Sequence, residues 1–127
     1  MATKELLNDF YKIITLDSSN TNIIKFDIEL NPAHTIFKGH FETMPVVPGV
    51  CQLQIVKEII EKVYTQKLQL IKGDNIKFTG MIVPTNHPKV SIEINIKEEN
   101  NLLNVDSKLY KENTTFTKSK STYKIIS

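Results

Sequence analysis

The chain has 127 residues, 40% of them hydrophobic, enough for one domain with its own core. Its 16 basic residues, all lysine, face 14 acidic ones for a net charge of +2, and no arginine is present to read phosphate or guanine with a bidentate fork. Nucleic-acid binding is thus unsupported, no apolar run nears the roughly 18 residues of a membrane span, and the lone Cys51 excludes an internal disulfide and leaves too few thiols for a structural zinc site.

The opening residues, MATKELLNDFYKII, lack the long apolar segment and small residues of a secretory signal, which predicts a cytoplasmic chain. Leu6, Phe10, Ile13 and Ile14 are spaced for a short amphipathic helix running into a strand. From Ile23 to Leu30, the apolar Ile24, Phe26, Ile28 and Leu30 alternate with Lys25, Asp27 and Glu29, the pattern of a half-buried strand. Asn31-Pro32 ends it, because proline cannot donate to a ladder. An irregular stretch from His34 to Val47 follows. From Pro48 to about Tyr64, apolar residues at Val50, Leu53, Val56, Ile59, Ile60 and Val63 fall at steps of three and four, and predict a long helix with proline near its start.

The second half predicts strands. Leu68 to Met81 is broken at Gly73-Asp74, and Val90, Ile92, Ile94 and Ile96 alternate with polar residues. A turn at Glu98–Asn101 leads to LLNVDSKLY, and Glu112-Asn113 leads to TTFTKSKSTYKII. Three alternating strands joined by short polar turns make an antiparallel meander. One long helix against such a sheet is an α+β layer architecture, a single domain over residues 1–127 with no internal repeat or linker.

The run GHFETMPVVPGV, Gly39 to Val50, carries the chemistry. It sets His40 ahead of the Pro48-Gly49 pair that opens the helix. A histidine titrates near neutrality and can take a proton. A helix N-terminus offers free N–H groups for developing negative charge. Together they suit proton removal next to a carbonyl. Cys51 also sits at this helix start, where a thiol can be activated, but no partner motif accompanies it and it reads as a small buried core residue. His34 and His87 stand beside turns and read as surface residues, and the three histidines have no metal-ligand spacing, so no metal or cofactor is expected.

The motifs HTIFKGHF, PVVPGV and IKFTGMIVP resemble those of the β-hydroxyacyl-acyl-carrier-protein dehydratases, over about Ile23 to Ile126. In the third, Gly80 and Thr85-Asn86 depart from that family's usual proline and Gly-Asp. The resemblance implies a hotdog fold, an antiparallel sheet wrapped around one long central helix, with two subunits joined edge to edge. It implies that His40 removes the proton α to a thioester carbonyl and that the Gly49 N–H, with Val50 beside it, polarises that carbonyl. Phe41, Val47, Pro48 and Val50 would line the substrate.

At Gln54 the chain departs from the family, which has a glutamate or aspartate there to protonate the departing β-hydroxyl. Glutamine keeps the shape and hydrogen bonds but has no acid proton. Glu42 and Glu58 are possible substitutes, although both read first as ordinary exposed glutamates. Family sites are shared across a dimer. A chain with the base and no acid could therefore pair with a second hotdog subunit that supplies one, or form a homodimer in which His40 makes both proton transfers. The expected partners are an acyl thioester and the acidic carrier protein that bears it, with Lys38 and Lys57 as docking residues. The expected activity is a lyase converting a 3-hydroxyacyl thioester to the 2-enoyl thioester in fatty-acid or related polyene biosynthesis. The alternatives are a non-catalytic acyl-binding subunit of a heterodimer and a hotdog thioesterase, and the pairing of GHF with PVVPGV favours the dehydratase lineage.

Overall fold

The computed structural model describes residues 6–20, 22–37 and 46–126. His40, Phe41, Lys38, Gly39 and Glu42 lie outside them. The elements are β1 (Tyr11–Asn20), β2 (Ile23–Leu30), a 3-10 turn (Thr35–Phe37), α1 (Gly49–Tyr64), β3 (Leu68–Gly73), β4 (Lys77–Phe78), β5 (Lys89–Glu99), β6 (Leu102–Lys111) and β7 (Thr114–Ile125). They form one sheet in the order β1-β2-β5-β6-β7-β3, with β4 also on β7, and every pairing is antiparallel. This is the expected α+β architecture, one helix held against one antiparallel sheet. No described helix is long and apolar enough to cross a membrane.

Register explains why the alternating strands share one inner face. Ile24 lies opposite Ile94, Phe26 opposite Ile92 and Ile28 opposite Val90. Ile92 continues to Leu109, Ile96 to Val105, and Leu103 to Tyr123. All are buried, in one core cluster with Cys51, Ile55, Val56, Ile59 and Ile60 of α1. Because side chains alternate with period two, the other residues of each strand face outward. The meander's turns follow local chemistry. Asn100 and Asn101 both take left-handed φ, 53° and 66°, the backbone of a tight hairpin that asparagine tolerates.

Two expectations are corrected. Residues 6–10 form no helix: Asn8 has φ 70°, which a helix cannot continue through, and β1 begins at Tyr11. Phe10 is fully buried and the turn before it is fixed by contacts to α1 described below. The inward face of α1 is also rotated from the one predicted. Val50 is 73% exposed, while Gln52 and Glu58, both polar, are buried at 3% and 4%.

Candidate active site at the start of the long helix

Pro48 is the N-cap of α1, with extended backbone (φ −62°, ψ 147°) and no side chain to cap the turn. The Cys51 and Gln52 N–H groups both donate to the Pro48 carbonyl, at 3.0 and 3.2 Å. The N–H groups of Gly49 and Val50 have no acceptor among the described residues. Such first-turn donors carry the positive end of the helix dipole and can receive a partial negative charge. Gly49 also lies directly under a neighbouring side chain. A Cβ there would lie 2.5 Å from Cζ of Phe78, whose ring from β4 covers the glycine.

The approach to the helix is held from two sides. The Val47 N–H donates to the Ile82 carbonyl at 2.9 Å, which ties it to the loop after β4. The Gln52 carboxamide donates to the Val47 carbonyl at 3.2 Å and accepts from the buried Thr117 hydroxyl on β7. Gln52 therefore locks the loop, helix and sheet together. Its role depends on Thr117, which is far away in sequence.

Gln54 is half-buried, and its Nε2 donates to Oε2 of Glu58 at 2.9 Å. Glu58 is not the exposed glutamate that its sequence context suggests. Its carboxylate also accepts from the backbone N–H groups of Leu6 (2.7 Å) and Leu7 (3.0 Å) and from the Tyr11 hydroxyl (3.0 Å). Four donors converge on two oxygens, which fills the carboxylate's acceptor sites. Glu58 is thus an anchor that holds the N-terminal turn and Gln54 to the helix. With its N–H₂ end on Glu58, the Gln54 carbonyl oxygen has no donor among the described residues and can accept from another group.

The remaining candidates fall away from the chemistry. Burial pushes the Cys51 thiol above its ordinary range, and the nearby Glu58 charge adds to that, so the thiolate a nucleophile needs is disfavoured. His34 and His87 are not the plain surface residues expected. The His34 side chain is 13% exposed, Nε2 lies 3.1 Å from Oδ2 of Asp9, and Nδ1 accepts from the Ile36 N–H at 3.0 Å. His87 is half-buried, packed edge-on to Phe116 at 5.2 Å. Lys57 is half-buried on α1. Val50, Phe78 and Met81 form an exposed apolar rim near the helix start, at 73%, 52% and 61%.

The ApeI-like family, described as ApeI dehydratase, matches residues 16–120. Among solved structures, the dehydratase heterocomplex ApeI:P from Xenorhabdus doucetiae is similar, with 21% identity, TM-score 0.71, and coverage of 88% of this chain and 96% of that one. A protein from Erwinia carotovora subsp. atroseptica is 22% identical at TM-score 0.59, covering 90% of this chain and 89% of its own. A hypothetical thioesterase with coenzyme A from Streptococcus pneumoniae is 10% identical at TM-score 0.61, covering 91% and 85%. At these identities the structures establish the shared fold. No curated protein matches the chain. The family match spans most of the chain, from β1 into β7, and takes in the PVVPGV segment with the open helix start: this chain belongs to the ApeI-like dehydratase family.

Proposed function

We propose that the chain is a dehydratase-type lyase that removes water from a 3-hydroxyacyl thioester carried by an acyl carrier protein, in fatty-acid or related polyene biosynthesis. The observation that carries this reading is the uncapped start of α1, where two N–H groups have no acceptor among the described residues, in a chain of a dehydratase family. The thioester carbonyl accepts from the Gly49 N–H and, beside it, the Val50 N–H. His40 takes the α-proton, and the electron pair moves to the carbonyl oxygen that those donors hold. As it returns, the C–O bond to the β-hydroxyl breaks. The proton that His40 gained goes to the departing hydroxide, so water leaves and the enoyl double bond forms. The carbonyl oxygen of Gln54 holds the β-hydroxyl in place before it leaves. Phe41, Val47, Pro48 and Val50 line the acyl chain, and Lys38 and Lys57 guide the acidic carrier.

His40→Ala tests this. The variant should lose dehydration by about 10²–10⁴-fold, as expected on removal of a general base, with an unchanged thermal melt. Full turnover in the variant would remove His40 from the mechanism.

A second reading has its own support. With Gln54 engaged by Glu58 and no acid at its position, the chain could be the acyl-binding half of a heterodimer, as one similar protein belongs to a heterocomplex. Either form needs a facing surface. The sheet ends at β1 and β3, Leu70 and Ile71 on β3 are 44% and 50% exposed, and the rim at Val50, Phe78 and Met81 is uncovered. We expect a dimer, either of this chain or with a second hotdog subunit. Light scattering at micromolar concentration should report a dimer, of twice the chain mass alone or of the summed masses once the second subunit is added, and a chain that stays monomeric in both conditions would contradict it.

A further inference from the structure

The outer face of the sheet carries a row of charges whose signs alternate and then stop alternating. Direct cross-strand neighbours run from Asp17 to Lys25, to Glu93, to Lys108. Lys108 is then opposite Lys118, and Lys118 opposite Lys77. Like charges directly opposite each other destabilise a sheet. Lys120, opposite Asp106 in the next row, adds a fourth ammonium. These four lysines with Glu93 and Asp106 line one groove of about 310 Å³ on β4, β5, β6 and β7, with a surplus of two positive charges. Among the described residues, no ion pair joins any of them. The pairs that form, Lys12–Glu29 and Lys72–Asp74, lie elsewhere. Lys108 instead rests over the Tyr110 ring, 4.7 Å from its centroid.

We propose that this groove binds a small phosphorylated anion, one that carries a diphosphate or a phosphate monoester. Three lysines from three adjacent strands place their positive charge along a single line. An anion there relieves a repulsion that the empty fold carries. Lysine recognises phosphate as a compact point charge and needs no planar fork, which suits a site built without arginine. A concave groove of this size fits a phosphoryl ligand better than the broad surface of a protein. The groove is on the opposite face of the sheet from α1, so the inference is independent of the reaction proposed above.

The test is titration of the full chain with inorganic pyrophosphate at ionic strength held constant with sodium chloride, followed by amide chemical shifts and thermal melting. Binding should saturate, with shifts concentrated at residues 77, 106–108 and 118–120. Lys118→Gln and Lys77→Gln should each weaken it about tenfold or more, whereas Lys62→Gln on α1 should leave it unchanged. Without ligand, Lys118→Gln should melt higher than the parent chain, because it breaks the row of like charges. The inference is overturned if pyrophosphate gives no saturation or if sodium chloride alone reproduces the shifts. It is also overturned if Lys118→Gln binds as well as the parent, or if the groove takes up an acidic protein and not pyrophosphate.

Discussion

Gln54→Glu is expected to speed dehydration by roughly 10²- to 10³-fold, within the range a positioned acid contributes. It should also make stability fall as pH rises. Nε2 of Gln54 lies 2.9 Å from Oε2 of Glu58, so the substitution sets a second carboxyl group at hydrogen-bond distance from a carboxylate that is 4% exposed. Two carboxylates this close cannot both be ionised cheaply, and the pair keeps one proton to higher pH than a free glutamate does. That shared proton is what the glutamine site lacks. Above the ordinary glutamate range the folded variant then binds more protons than the unfolded chain, so its stability declines with pH until the pair loses its proton. The melting-temperature gap to the parent should be small at pH 5 and larger at pH 8. If the variant folds and shows the gap but no gain in rate, a missing acid is not what limits this chain.

Glu58→Ala should be strongly destabilising, at about 2–4 kcal/mol. It leaves the Leu6 and Leu7 N–H groups, the Tyr11 hydroxyl and the Gln54 amide without the acceptor they share. Tyr11 is buried at 2%, so its hydroxyl loses a partner that water cannot readily replace. For a domain of this size the loss is on the order of 10 °C in Tm. Glu58→Gln keeps the shape and one acceptor oxygen but turns an N–H₂ toward the converging donors, and should recover only part of the difference. Chemical denaturation of the three proteins checks this. A change within about 0.5 kcal/mol for Glu58→Ala would return Glu58 to the status of a surface residue.

The sheet was legible because its information is local. Alternation in β2, β5 and β6 marks the inner face, and the asparagines at 100 and 101 mark the hairpin. The length of α1 and its proline start were legible for the same reason. The face of α1 was misread because apolar spacing assigns Val50 to the core, whereas polar partners on other strands decide the register. Gln52 is drawn inward by Thr117, and Glu58 by Leu6, Leu7 and Tyr11. Those contacts join residues 47 to 65 positions apart, and no window along the chain contains both partners. The N-terminal helix was misread for a related reason. Leu6, Phe10 and Ile13 have helical spacing, but the left-handed Asn8 and the anchor at Glu58 make a turn the lower-energy form. The placement of Gly49, Val50 and Gln54 near one end of α1 followed from spacing, whereas His40 lies outside the described residues and its role rests on the motif.

The most direct measurement is mass spectrometry of a 3-hydroxyacyl carrier protein incubated with the purified chain, alone and with a second hotdog subunit from the same source. A carrier lighter by one water, formed with the parent chain and not with His40→Ala, is the result expected for a dehydratase that uses His40 and the helix start at Gly49. No loss of water under either condition, with the chain folded and the acyl group intact, would contradict it.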